Sequence, residues 1–192
     1  SHDTTPSIVD NLAANYDPIM VIHHPHRRGY AASLKSGAMT ARGEYVLVLD
    51  AGRWLHMNQL EHLLPYYGQY DSIIGYPVKR HLSWYQRFTG TLINNLLNLD
   101  LPAPGCYFTL VRTELLQQTT FHSRSALIWA EIHAHALKHG WTHIQVGMRN
   151  QRHARHAART GTGYAQVALP SVQEIGNLWL HMQALNAQQQ KR

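Results

Sequence analysis

Tyr45-Val46-Leu47-Val48-Leu49-Asp50 is a run of five apolar residues closed by a carboxylate. A continuous apolar run of this length, rich in Val and Leu, predicts a central strand covered on both faces. An acid directly after such a strand stands at the carboxyl end of a sheet, where open α/β sheets bind their ligands. The residues before the run agree. Arg28-Gly29 breaks the chain, and Tyr30, Leu34, Gly37, Ala38 and Ala41 then recur at helical spacing. Their small side chains suit a helix packed closely on a sheet, and Gly43 stops it.

Outward from this unit, strand and helix patterns alternate. Residues 4–14 read as a short helix with Ile8, Val9 and Leu12 on one face, and Ile19 to Ile22 as a short buried strand. Asn58 to Leu64 reads as a helix with Leu60, Leu63 and Leu64 inward. Asp71 to Val78 is a strand, Leu82 to Leu99 a long helix, and Cys106 to Val111 a strand. Ala126 to His139 is a helix ended by Gly140, and His143 to Met148 is a last strand. Ser171-x-x-Glu174 forms a capping box for a final helix whose stripe is Val172, Ile175, Leu178, Trp179, Met182 and Leu185. The Gln-rich tail from Gln188 should fray. This alternation predicts an α/β fold: a mostly parallel, Rossmann-like sheet with helices on both faces.

At 192 residues the chain has room for one domain with a real core. No apolar run reaches the roughly 18 residues that span a bilayer, and no signal segment opens the chain. The single cysteine, Cys106, excludes an internal disulfide and a cysteine-based zinc cage. A net charge of +6, with 15 further histidines, suits an anionic partner such as nucleotide or lipid phosphates. The basic residues follow no single periodic face and no nucleic-acid recognition motif is present, so nucleic acid is not expected.

Several residues can carry chemistry. Arg152, Arg155 and Arg159, interleaved with His153 and His156, form either a phosphate-gripping loop or a solvated basic surface. Arg87 and Arg112 are phosphate ligands or structural ion-pair partners. Glu131, His135 and His139 are four apart and share a helix face, as a metal site or a general base would require. Trp54, Trp84, Tyr85 and Trp129 line a sugar or lipid site, or fill a core. The final helix packs on the domain or lies on a membrane by its apolar stripe.

With these elements in order, the chain resembles family 2 glycosyltransferases of the GT-A fold. Arg28 to Gly37, then Ala41-Arg42-Gly43-Glu44-Tyr45 and the strand to Asp50, are similar to the family's Gly-rich helix start, "A-x-G-[DE]-Y", apolar strand and "D-x-D". Ser1-His2-Asp3-Thr4-Thr5 resembles the tail of "DDGSTDxT", which implies that the first strand and the nucleobase-binding aspartates lie upstream. Ile73-Ile74-Gly75 resembles the "viG" strand. Arg87 with Asn94 resembles the "R…S…N" helix of the polyprenyl-phosphate, or dolichyl-phosphate mannosyltransferase-like, branch. Cys106 to Arg112 is similar to "[SC]-G-F-x-L-x-R", Glu131-Ile132 to "E-I", and Arg155 to Thr160 to "R-x-x-G-x-[ST]". The resemblance covers residues 1–165, a glycosyltransferase-like domain, and leaves 166–192 as an amphipathic helix and tail.

The resemblance implies transfer of a sugar from a nucleotide-diphosphate donor to an acceptor such as a polyprenyl phosphate, at the cytoplasmic face of a membrane and with peripheral contact to it. It implies Mg²⁺ or Mn²⁺ at Asp50, Asp50 and Glu131 as catalytic residues, and Arg155, Arg159, Arg87 and Arg112 as phosphate ligands. Three positions depart from the pattern. Gly52 replaces the second aspartate of D-x-D, Ala103 replaces an acid, and Pro77 stands where an arginine is usual. They bear on activity, and the rival expectation is a non-catalytic domain of the same fold that binds a ligand or partner.

Overall fold

The computed structural model describes residues 4–26, 28–49, 57–78, 83–101, 108–148 and 170–189. In chain order these form α1 (Thr5–Asn15), α2 (Tyr30–Thr40), β1 (Tyr45–Leu49), two 3₁₀ turns (Met57–His62 and Leu64–Tyr66) and β2 (Ser72–Pro77). There follow α3 (Trp84–Leu97), β3 (Phe108–Arg112), α4 (Thr113–Gln118), α5 (Ile128–Lys138), β4 (His143–Met148) and α6 (Val172–Gln189).

The four strands make one sheet in the order β1-β3-β2-β4. β3 runs antiparallel to both of its neighbours, while β2 and β4 are parallel. Strands β1, β2 and β4 therefore share a direction, and β3 is inserted against them. Alternation along each strand sends side chains to two cores. Val46, Val48, Ile74 and Val111 face the larger one, with Ala31 and Ala38 of α2, Ile93 of α3, Leu115 and Leu116 of α4, Ile128 and Ile132 of α5, and Ile175 and Leu178 of α6. Leu47, Ile73, Phe108 and Leu110 face the smaller one, closed by Leu60, Leu63 and Tyr66 of the 3₁₀ turns. Each fully buried branched side chain in these layers contributes about 1.5–3 kcal/mol.

The α/β architecture expected from the alternation is present, but among the described residues two of the three strand pairs are antiparallel, so the sheet is mixed rather than mostly parallel. Helices α2 to α6 pack on one face, while the two 3₁₀ turns close the other. Four details differ from the reading of the sequence. First, Ile19 to Ile22 forms neither helix nor strand and pairs with no described strand, and Met20 is 63% exposed. An apolar run needs a neighbouring strand to become part of a sheet, and none lies beside it among the described residues. Second, β1 is covered on both faces yet has one strand neighbour, so among the described residues it is an edge strand. Third, residues 57–66 are 3₁₀ turns rather than an α-helix, with Leu64 exposed. Pro65 disfavours α conformation at Leu64. Fourth, α4 follows β3 directly, and its six residues are too few to show a period in the sequence.

Helix ends follow local chemistry. Ser83 caps α3 by a full capping box with Gln86. The chain leaves α5 through Gly140 at φ 73°, a left-handed backbone that glycine adopts without cost. At α6 the Ser171 hydroxyl accepts from the Glu174 amide as expected. The Glu174 carboxylate does not return to close the box. It accepts from the Arg124 and Ser125 amides at 3.1 and 3.2 Å, fastening α6 to the loop before α5. The stripe of α6 is spent on the domain, with Ile175, Leu178 and Met182 buried in the main core. Of the two readings of this stripe, packing on the domain is the one these buried residues meet.

Candidate functional site

The strand register defines one edge of the sheet as the candidate site. Leu49 and Gly75 both lie opposite Phe108, Gly75 also pairs with Val146, and Pro77 pairs with Met148. The carboxyl ends of β1, β2 and β4 are thus level with the start of β3. The Val78 amide adds a bond to the Met148 carbonyl at 3.0 Å, extending the β2–β4 ladder to the rim. Three carboxyl ends at one edge, those of β2 and β4 adjacent and that of β1 across the start of β3, are where α/β sheets collect ligand-binding loops.

Gly75 shows how closely the strands meet there. A Cβ at this position would stand 2.6 Å from Cε of Met148 and 2.8 Å from the Phe108 carbonyl oxygen. Only glycine fits, which gives the Ile73-Ile74-Gly75 motif a physical reason.

The chain runs from this edge into the segments that carry most of the expected site. Asp50 directly follows Leu49, the end of β1. Ala103 lies in the segment that enters β3, and Arg155 and Arg159 lie in the segment that leaves β4. Asp50, Gly52, Trp54, Ala103, Arg152, Arg155 and Arg159 themselves lie outside the described residues. None of the strand-end residues Leu49, Val78, Phe108 and Met148 is an acid.

Arg112 is placed elsewhere. It ends β3 and pairs with Tyr45, at the opposite end of β1 from Leu49. Its Nε donates to Asp71 Oδ1 at 2.8 Å and its Nη1 to Glu44 Oε1 at 2.9 Å. The guanidinium also lies over the Tyr45 ring at 5.1 Å. Burial alone would raise the Asp71 pKa, but the Thr142 amide and hydroxyl and the Arg112 guanidinium together hold it below the usual carboxylate value. Arg112 is a structural ion-pair partner, and the expectation of a phosphate ligand there is corrected. Arg87, in contrast, is exposed on α3. Asn94, read with Arg87 as a motif, clamps the Leu101 backbone by accepting from its amide and donating to its carbonyl.

Glu131 is 0% exposed in the first turn of α5. Its Oε1 accepts from the His122 amide at 2.8 Å and meets His122 Nδ1 at 3.1 Å, while Oε2 accepts from the Ser123 amide at 2.9 Å. A general base must reach a substrate proton. This carboxylate instead anchors the 122–123 loop, so the expected catalytic role gives way to a positional one. His135 and His139 do not join it in a metal centre: among the described residues no group of three or more His, Cys, Asp or Glu is placed to hold a metal ion. Trp129 is a core residue that donates to the Tyr30 hydroxyl at 3.0 Å, whereas Trp84 is exposed.

The histidines make a cluster that the sequence did not disclose. His122 and His181 rings lie 3.8 Å apart, and His135 lies 6.5 Å from His181. The three come from a loop, α5 and α6, so no local spacing could have joined them. Burial pushes His135 and His181 below the usual imidazole value, and Lys138 nearby lowers both further. Deeper in α5, burial and the adjacent His143 bring His133 down to about 3.

Known proteins resemble this chain over short stretches of sequence or in fold. A stretch of 51 residues is 37% identical to a dolichyl-phosphate β-glucosyltransferase of Trichomonas vaginalis, covering 27% of this chain and 16% of that protein. A second dolichyl-phosphate β-glucosyltransferase of the same organism is 32% identical over 63 residues, 33% of this chain and 19% of that protein. The matches thus span less than a fifth of these relatives' length. The fold is similar to that of glucosyl-3-phosphoglycerate synthase from Mycobacterium tuberculosis, solved with phosphoglyceric acid. The TM-score is 0.56 over 90% of this chain and 68% of the other, at 15% identity. No helix among the described residues is long and apolar enough to cross a membrane. Sequence and fold agree on one assignment: residues 1–135 match the model of glycosyl transferase family 2, and the chain belongs to that family.

Proposed function

We propose that this chain is the sugar-transferring domain of a glycosyltransferase that uses a nucleotide-diphosphate sugar and a polyprenyl-phosphate acceptor. The observation that carries the reading is the shared carboxyl edge of β1, β2 and β4, with Asp50 directly after Leu49. The partial likeness to dolichyl-phosphate β-glucosyltransferases supports a lipid-phosphate acceptor.

In the reaction, the bond between the anomeric carbon and the diphosphate oxygen breaks and an acceptor phosphate oxygen bonds to that carbon. The leaving diphosphate takes the electron pair, so positive groups at that oxygen lower the barrier. The acceptor phosphate is already an anion at neutral pH. It needs no strong base, in keeping with the anchoring role of Glu131. Asp50 is the one carboxylate that this chain's motif offers to a divalent cation, which fits Mg²⁺ or Mn²⁺ held jointly with substrate phosphates and water. Such a cation would neutralise charge on the diphosphate. Arg155 and Arg159 would grip phosphate oxygens by forked hydrogen bonds, and Arg87, exposed on α3, is free to reach an anionic acceptor.

Gly52, where a second aspartate is usual, favours a second reading, a domain that binds the nucleotide without transferring the sugar. Calorimetric titration of the full-length protein with uridine and guanosine diphosphates, with and without Mn²⁺, tests the first. Binding should require Mn²⁺ and disappear in Asp50→Ala. Arg155→Ala should weaken it by about tenfold or more, the worth of a charged hydrogen bond. Absence of binding, or binding indifferent to Asp50→Ala, sinks the enzyme reading. Binding without transfer to a polyprenyl phosphate selects the second.

A further inference from the structure

Helix α3 carries an exposed face that the fold does not use. Trp84 is 79% exposed and Phe88, one turn later, is 51% exposed. Exposed Arg87 lies beside them in the sequence and, at i and i+3, on the same side as Trp84. The opposite face of the helix is committed. Thr89 and Ile93 are buried, and the Tyr85 hydroxyl donates to the Pro170 carbonyl at 2.9 Å, tying α3 to the start of α6. Trp84 packs edge-on against Tyr85 at 5.9 Å but covers no core. A large aromatic left four-fifths exposed forgoes most of its burial free energy, which an outside surface can recover.

Among the described residues of α3 the charged side chain is Arg87, a cation. From Ser72 to Leu99 the sequence contains no Asp or Glu, while Lys79, Arg80 and Arg87 fall within it. The acid on the helix packed against α3, Glu174, has its carboxylate turned to the Arg124 and Ser125 amides. The whole chain carries a net charge of +6. Aromatic side chains beside the Arg87 cation, with no carboxylate among the described residues of α3, match the polar–apolar boundary of an anionic lipid bilayer. A protein partner of ordinary surface would supply acids to pair the cations but not a continuous apolar layer for both rings.

We propose that Trp84, Arg87 and Phe88 dock the protein onto anionic lipid, the two rings entering the acyl boundary and Arg87 meeting headgroup phosphate. This differs from membrane contact through the stripe of α6, which the core consumes. Docking does not depend on sugar transfer, and a protein without transferase activity would still show it. The amino end of α3, Trp84, is six residues along the chain from Val78 at the candidate edge, a reach of at most about 22 Å. Docked in this way, the protein holds that edge within reach of a membrane-borne phosphate.

Cosedimentation of the full chain with vesicles of equal parts phosphatidylglycerol and phosphatidylcholine, and with phosphatidylcholine alone, tests the proposal. Binding should require the anionic lipid. Trp84→Ala should weaken partitioning at least about tenfold, and Arg87→Ala about fivefold, both with unchanged circular dichroism because these side chains are exposed. Acyl chains brominated near the headgroup should quench part of the tryptophan emission, and Trp84→Phe should remove that quenching. Ile8→Ser with Leu12→Ser, on the exposed apolar face of α1, is the control and should leave binding intact. Failure to bind either vesicle, binding unchanged in Trp84→Ala, or loss confined to the α1 variant would overturn the proposal. Self-association without lipid that disappears in Trp84→Ala would overturn it in favour of a contact between copies of this chain.

Discussion

A methyl group on Gly75 would meet the Phe108 carbonyl oxygen at 2.8 Å and the end of Met148 closer still. The methionine can swing aside, but the carbonyl belongs to a strand bonded on both sides and cannot. Gly75→Ala should therefore destabilise the fold by about 1–3 kcal/mol, read as a lower urea midpoint. Adding Met148→Ala should recover a minor part only, since the clash with Phe108 remains. The same attention to single contacts separates the arginines. Arg87, Arg112, Arg155 and Arg159 are equal as letters, yet Arg112 is occupied by Asp71 and Glu44 at the far end of β1. Its strand partner Tyr45 and the acid Glu44, 68 positions away, are brought to it by the pairing of β1 with β3. Asp71, 41 positions away, arrives through the pairing of β2 with β3, so neither acid is legible from spacing along the sequence.

Helix α6 illustrates how a correct local motif acquires a non-local use. Ser171 caps as its sequence says, but Glu174 crosses to the Arg124 and Ser125 amides, and Lys138 Nζ donates to the Met182 carbonyl at 3.1 Å. Glu174→Ala leaves two amides without their acceptor. It should cost about 1–3 kcal/mol and speed hydrogen exchange across Val172–Gln189 more than across β2 or β3. Equal acceleration everywhere would mean that α6 does not open separately. The strands show the complementary failure. Their apolar runs were legible because burial is written into composition. The insertion of β3 against β1 and β2 was not, since a run of Val and Leu reports cover above and below but not the direction of its neighbour.

Three histidines, His133, His135 and His181, are each driven toward the neutral form, and together they set how the protein responds to acid. His133 is fully buried with neither ring nitrogen hydrogen-bonded, faced by Trp129 and His143. His135 and His181 are faced by Glu131, which favours their charged forms, and by Lys138, which opposes them. His139 further opposes charge on His135, and His122 on His181. The folded-state value of His133 is about 3 against an ordinary 6.5, so below pH 6.5 the unfolded chain binds a proton that the folded chain refuses. Stability should be highest above pH 6.5 and fall as pH drops from there toward 3, by up to about 1.4 kcal/mol per pH unit for this one group. His181, more open to solvent, should add less. Comparing thermal midpoints at neutral and mildly acid pH checks this. His133→Leu should narrow the gap between them, and an unchanged gap would remove His133 as its cause.

The order of apolar runs, the breaks at Arg28-Gly29 and Gly140, and the acid closing β1 were enough to obtain the α/β class and the family resemblance. Each rests on interactions within a few residues of chain, or on composition that records burial. The run ending at Asp50 has the composition of a central strand, whereas among the described residues it has a strand on one side only. Tertiary structure alone decided that the carboxyl ends of β1, β2 and β4 share an edge, that Glu131 is an anchor and Arg112 an ion-pair partner, and that Trp84 faces outward. These are contacts between distant parts of the chain. Their energies depend on which groups packing brings within a few ångströms, a quantity that spacing along the sequence does not contain.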